Sequence, residues 1–297
     1  MSSKHFLLLK LTVISVFLGR AYQHIFWDVP YRTFLWNEMH VAPIIKSLFG
    51  LEWNEYANSL EVDGKIQFAI KSVGIFLLVL AILVAILNKS NFKYLKVPIF
   101  IGGLIQIILA LVFTKEAFFQ LGQFFEYSLQ FVPPFLLLYA YSSRFNLNHF
   151  YLIFKFTIGL TFFCHGLYAL GFYPVPGNFI DMTISILSVD ENTARLFLQI
   201  AGVLDFLILI FIFIKPLEFY TLFYAALWGF LTALARIVAH YDVDFMGQIM
   251  HQYTFETIVR LCNFLGPILA IQLYFLFNKK HCFLLRFILL FTALILL

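Results

Sequence analysis

The chain has 297 residues, of which 62% are hydrophobic and 12% charged, with a formal net charge of +4. Soluble domains carry roughly 25% charged residues, so a soluble fold of this size would lack the polar surface to cover itself. With a mean hydropathy of +0.90 and apolar runs of membrane length, the composition gives an all-α polytopic membrane protein. The small net charge requires no nucleic-acid partner. Cys164, Cys262 and Cys282 form no C-x-x-C motif, and no disulfide framework or thiol relay can be read from them.

The basic start (Lys4, Lys10) leads into an apolar run at 6–27 with no small-residue cleavage site, which reads as a retained first span. Its far end carries Arg20, His24 and Asp28 at four-residue spacing, so a continuous helix would align them along one face. A charge near the bilayer centre costs about 2.5–3.5 kcal/mol on insertion scales, and such groups usually face a protein interior or a wet cavity. The following loop, 28–65, is too long for a simple connector. Its stretch 31–49 mixes Phe34, Trp36, Met39 and Ile44 with Arg32, Glu38 and Lys46, which predicts a short helix lying at the membrane interface.

Further apolar runs fall at 67–87, 95–113, 124–141, 150–172, 196–214, 219–239, 255–277 and 282–297, for eight or nine spans in all. Pro133 and Pro134 are expected to kink or break the fourth. Lys71 and Lys155 lie nearer to span ends and are expected to snorkel to the interface. Basic loops at 88–97, 142–149 and 278–281 alternate with acidic ones at 28–65, 173–195 and 240–254. By the positive-inside rule this places the N-terminus in the cytoplasm of a cell whose plasma (inner) membrane holds the protein.

Two tandem four-helix units are expected, at 1–145 and 146–278, with a final apolar helix at 279–297. His24 near the end of span one is matched by His165 near the end of span five. Phe131-Val132-Pro133-Pro134 parallels Phe264-Leu265-Gly266-Pro267, and Gly74 parallels Gly202. Both units contain an even number of helices, so the repeats would be parallel.

This topology brings titratable residues to one bilayer depth, near the outer face. Arg20, His24, Asp28, His165, Arg236 and His240 fall at the ends of outward-running spans, and Glu126, Glu256 and Arg260 at the starts of inward-running ones. The i,i+4 pairs Arg236–His240 and Glu256–Arg260 each share a helix face. A shared cavity would offer arginine charge to a phosphate, carboxylate or quinone oxygen, and His24 or His240 could carry protons. The plain alternative is that each residue snorkels to the headgroups. Asp205 stands alone among Phe, Leu and Ile in span six, where a carboxyl is expected to hold its proton and donate a hydrogen bond to a neighbouring helix.

Phe163-Cys164-His165-Gly166-Leu167, Pro174-x-Pro176-Gly177-x-Phe179 and Ala201-Gly202-x-x-Asp205 together resemble DoxX-like membrane proteins over residues 155–240. The resemblance implies a compact four-helix membrane unit, linked in some members to quinone-coupled sulfur or thiol oxidation, with His165 and Asp205 as the polar positions carried over. The chain departs from the family in having a second unit in front, where Leu77 stands opposite Asp205. The reading is therefore a membrane protein whose polar cavity binds a quinone or other amphiphile, or supports a partner oxidoreductase. Its rivals are a transporter or lipid-handling protein and a non-catalytic assembly subunit.

Overall fold

The computed structural model describes residues 1–278; the apolar run at 282–297, Cys282, Lys279 and Lys280 lie outside the described residues. Every regular element among the described residues is an α-helix. In chain order they are α1 (Ser3–Phe26), α2 (Arg32–Leu35), α3 (Glu38–Phe49), α4 (Trp53–Ala57), α5 (Leu60–Ile86), α6 (Phe92–Glu116) and α7 (Leu121–Glu126). There follow α8 (Ser128–Tyr141), α9 (Leu147–Ala169), α10 (Gly177–Leu187), α11 (Glu191–Phe211), α12 (Lys215–Ala239), α13 (Met246–Arg260) and α14 (Cys262–Phe277). Seven helical stretches among the described residues are long and apolar enough to cross a membrane: α1, α5, α6, α9, α11, α12 and the consecutive pair α13–α14. The chain is a multi-pass membrane protein.

Two element boundaries differ from the hydropathy reading for local reasons. Helix α5 starts at Leu60, well ahead of its apolar run. Ser59 caps it by accepting from the Val62 amide at 3.3 Å, and Glu61 and Asp63 complement the helix dipole in its first turn. The fourth apolar run is divided, but at Tyr127 between α7 and α8. Pro133 and Pro134 lie inside α8, whose helix continues through them with each proline removing one ladder bond.

Helix α1 lies against α5 on one side and α13–α14 on another, while α9 lies against α11 and against α7–α8. Helix α6 lies against α7 and α8, and α12 lies against α13 and α14. Glycines set the closest approaches. A Cβ on Gly74 of α5 would stand 2.7 Å from the His24 Cβ of α1. One on Gly202 of α11 would stand 2.9 Å from the Leu170 amide and 3.0 Å from the Gly166 carbonyl of α9. In a membrane, where lipid tails are as apolar as leucine, such backbone proximity supplies the packing that holds helices together. The main core runs through Phe17, Leu77, Leu80, Leu137, Phe154 and Leu269, all fully buried.

One end of the bundle carries the short helices α2–α4. Arg32 fixes them by bonding Asp28 at 2.6 Å and Asp63 at 2.6 Å, and Lys115 of α6 sits 4.3 Å from the Phe34 ring centre. Helix α3 is amphipathic, capped by Asn37 and closed by the left-handed Gly50, and it exposes Met39, Leu48 and Phe49. At the opposite end, Lys10 of α1 donates to the terminal carbonyls of α5, Leu87 at 2.5 Å and Ala85 at 3.2 Å.

Candidate functional site

Two adjoining cavities open at the end of the bundle that carries α2–α4. The larger, about 400 Å³, is walled by apolar side chains of α10, α11 and α12, among them Met182, Ile186, Phe197, Trp228 and Leu231. Its walls reach the outer surface at Leu187, Leu231 and Val238, which are exposed. The charged and ionisable groups of its lining are His165 of α9, Glu126 of α7, Arg236 of α12 and Arg260 of α13, with Asn263 of α14 beside them. The His165 Nδ1 and Glu126 Oε1 atoms are 3.0 Å apart. The volume lies within the roughly 300–1,000 Å³ span of small-molecule sites, and a few convergent polar groups in an apolar wall are typical of them.

The smaller cavity, about 230 Å³, is polar. Arg20 and Gln23 of α1, Tyr127, Gln130 of α8, and Glu256 of α13 line it, and Arg236 and Arg260 belong to both cavities. The Arg20 guanidinium donates to the Gln23 Oε1 and Gln130 Oε1 atoms, each at 2.7 Å, and lies 5.0 Å from the Phe113 ring centre and 5.5 Å from that of Tyr127. Arg20 is 5% exposed, and its Nε has no hydrogen-bond partner. Glu256 pairs with Arg236 through Nε and with Arg260 at 3.4 Å.

The structure thus brings Arg20, Arg236, Glu256 and Arg260 together from α1, α12 and α13, and sets His165 beside them. The other residues of the expected site fall elsewhere. His24 is fully buried against α5; its Nδ1 lies 2.6 Å from the Arg20 carbonyl and its Nε2 3.0 Å from the Tyr31 hydroxyl. Asp28 leaves the expected column because α1 ends at Phe26, so its carboxylate turns outward to Arg32. His240 is exposed at the end of α12 and stacks on Tyr253 at 4.3 Å. Among the described residues no cluster of His, Cys, Asp or Glu could hold a metal ion.

Asp205 lies behind the larger cavity, fully buried. One carboxyl oxygen accepts from the Trp228 Nε1 at 3.0 Å, and the other lies 3.4 Å from the Tyr224 hydroxyl. An indole N–H can only donate, which fixes the Asp205 oxygen facing Trp228 as an acceptor. A Cβ on Gly166 would lie 3.1 Å from the Asp205 Cβ, so this carboxyl packs next to the residue that follows His165. Asp205→Asn keeps an oxygen for Trp228 and is expected to leave thermal unfolding in detergent unchanged. Asp205→Leu is expected to lose about 0.6–2 kcal/mol, the range of single polar contacts between membrane helices. Destabilisation by Asn as large as that by Leu would show that the carboxylate charge itself is needed.

Three residues of the smaller cavity carry no sequence signal of their own. Gln23, Tyr127 and Gln130 are ordinary polar residues near span ends, and only folding brings the two amides onto Arg20. Lys155 does not snorkel: its ammonium lies 2.9 Å from Glu218 Oε1, which also accepts from the Tyr151 hydroxyl at 2.7 Å. This buried pair sits toward the opposite end of the bundle, where α9 and α12 begin.

No protein-family model, curated protein or solved structure matches the chain.

Proposed function

We propose that this protein binds an amphiphile from the bilayer, with its apolar body in the larger cavity and its oxygen-bearing head against His165, Arg236 and Arg260. One observation carries the reading: apolar walls that reach the lipid-facing surface at Leu231 and Val238 converge on a wall of charged donors. Arginine N–H groups and an imidazole suit carbonyl, carboxylate or phosphate oxygens. A quinone is a specific candidate, favoured by the His165–Glu126 contact, which could relay a proton to a reduced quinone oxygen. The DoxX-like resemblance around His165 and Asp205 points the same way.

In this reading α7 and α8 together make an eighth span, and the chain consists of two parallel four-helix units. The repeated pairings support it: α1 with α5 and α9 with α11, α6 with α7–α8 and α12 with α13–α14. The glycine contacts at Gly74 and Gly202 recur at matching places. The alternating loop charges support a cytoplasmic N-terminus, which would put both cavities in the outer leaflet of a plasma (inner) membrane.

Protein purified in mild detergent should carry a stoichiometric amphiphile in its organic extract, identified by mass spectrometry. Ala235→Trp, which fills the larger cavity, should lose it while retaining the wild-type helical content and elution volume. Equal ligand content in both proteins, or none in wild type, would refute the reading.

A further inference from the structure

We infer that the amphiphile is a lipid phosphomonoester, its phosphate seated in the smaller cavity among Arg20, Arg236 and Arg260. The inference rests on the amphiphile reading and narrows its headgroup. Three guanidinium groups and one carboxylate, Glu256, line the 230 Å³ cavity, a net charge of +2 on that lining; a second carboxylate, Glu126, lies on the larger-cavity side of Arg236 and Arg260, where it pairs with His165. Burying an ionised group costs heavily unless it is paired. Arg236 and Arg260 share the Glu256 carboxylate. Arg20 is 5% exposed, forms no ion pair with a carboxylate of the described residues, and keeps a buried Nε without a partner. Its two bonded nitrogens meet only neutral amide oxygens. Gln23 and Gln130 therefore orient the guanidinium but leave its charge uncompensated.

The occupant that completes this arrangement is a dianion with several acceptor oxygens. A phosphomonoester carries about −1.5 to −2 charges at neutral pH and presents three such oxygens. A carboxylate or phosphodiester, each with one negative charge, would leave half of the excess, and a neutral quinone would leave all of it. Arginine is suited to this task because its planar fork meets two phosphate oxygens at once and is always charged. Arg236 and Arg260 stand in both cavities. A headgroup held by them can thus keep its chain in the apolar cavity, which ties the phosphate to a lipid in preference to free phosphate.

The test is equilibrium binding to detergent-purified protein, read by native mass spectrometry and by thermal shift. The probes are lysophosphatidic acid, the lysophosphatidylcholine of the same chain, a short-chain ubiquinone and inorganic phosphate. Lysophosphatidic acid should bind at least tenfold tighter than the other three. Arg20→Gln should weaken it ten- to a hundredfold and weaken lysophosphatidylcholine by a smaller factor, and Arg20→Lys, which keeps the charge, should recover part of the loss even if the Gln variant folds poorly. Inorganic phosphate binding as tightly as lysophosphatidic acid would overturn the lipid source. Equal affinity for ubiquinone and lysophosphatidic acid would overturn the phosphate head and leave the amphiphile reading standing. Binding of no lipid probe would sink both.

Discussion

Lys155→Met should destabilise the protein by about 3–5 kcal/mol, the usual cost of removing one partner of a buried ion pair. The side chains of Lys155 and Glu218 are 12% and 8% exposed, and the ammonium lies 2.9 Å from the carboxylate. With the lysine gone, Glu218 retains only the Tyr151 hydroxyl at 2.7 Å and must stay ionised without a cation or take up a proton. Glu218→Gln in the same background removes the stranded charge and should restore most of the loss. Unfolding midpoints in a denaturing-detergent titration of the wild type, both single variants and the double variant would close the cycle. Single variants within about 0.5 kcal/mol of wild type, the range of ordinary surface substitutions, would mean that water reaches the pair. The pair joins the start of α12 to α9, and α12 carries Arg236 at its other end. A fold that tolerates the single variants poorly should also lose its cavity.

The sequence makes the helices legible because a membrane imposes its own length scale: the apolar runs at 95–113, 150–172 and 219–239 lie inside α6, overlap α9 and lie inside α12. Their ends are less legible, because polar caps such as Ser59 extend a helix beyond its apolar run. The charged residues of the cavity are visible for the same reason as the spans. Arg20 and Arg236 stand out against apolar neighbours, and Glu256–Arg260 has helical spacing. What the sequence cannot show is which way a side chain turns once its helix has neighbours. His24 and Arg20 share a helix, yet Gly74 of α5 draws α5 onto the His24 face while Gln130 of α8 meets Arg20. Lys155 and Glu218 are 63 residues apart and no periodicity relates them. Tyr127 and Gln130 are missed because polar uncharged residues near a span end are common and carry no signal until an arginine is seen beside them.

Glu256→Gln is expected to move stability and ligand affinity in opposite directions. The carboxylate receives Arg236 and Arg260, and hydrogen bonds to charged groups contribute about 1.5–3 kcal/mol each. Glu256 is 29% exposed, so solvent screening reduces the loss, and an overall cost of about 2–3 kcal/mol is expected. The same substitution raises the net charge of the smaller cavity from +2 to +3 and frees two guanidinium groups that the carboxylate had engaged. A phosphate then no longer competes with Glu256 for Arg236 and Arg260. Lysophosphatidic acid should bind about tenfold tighter, a gain of about 1.4 kcal/mol, and its stabilising effect at saturation should exceed that in wild type. Added salt should diminish the gain, as it screens an attraction that is electrostatic. If affinity falls in parallel with stability, Glu256 serves as a strut that positions the two arginines, and the phosphate must then be held mainly by Arg20. If neither quantity moves, the Arg236–Glu256–Arg260 cluster is open to water and cannot be the charged wall of a lipid site.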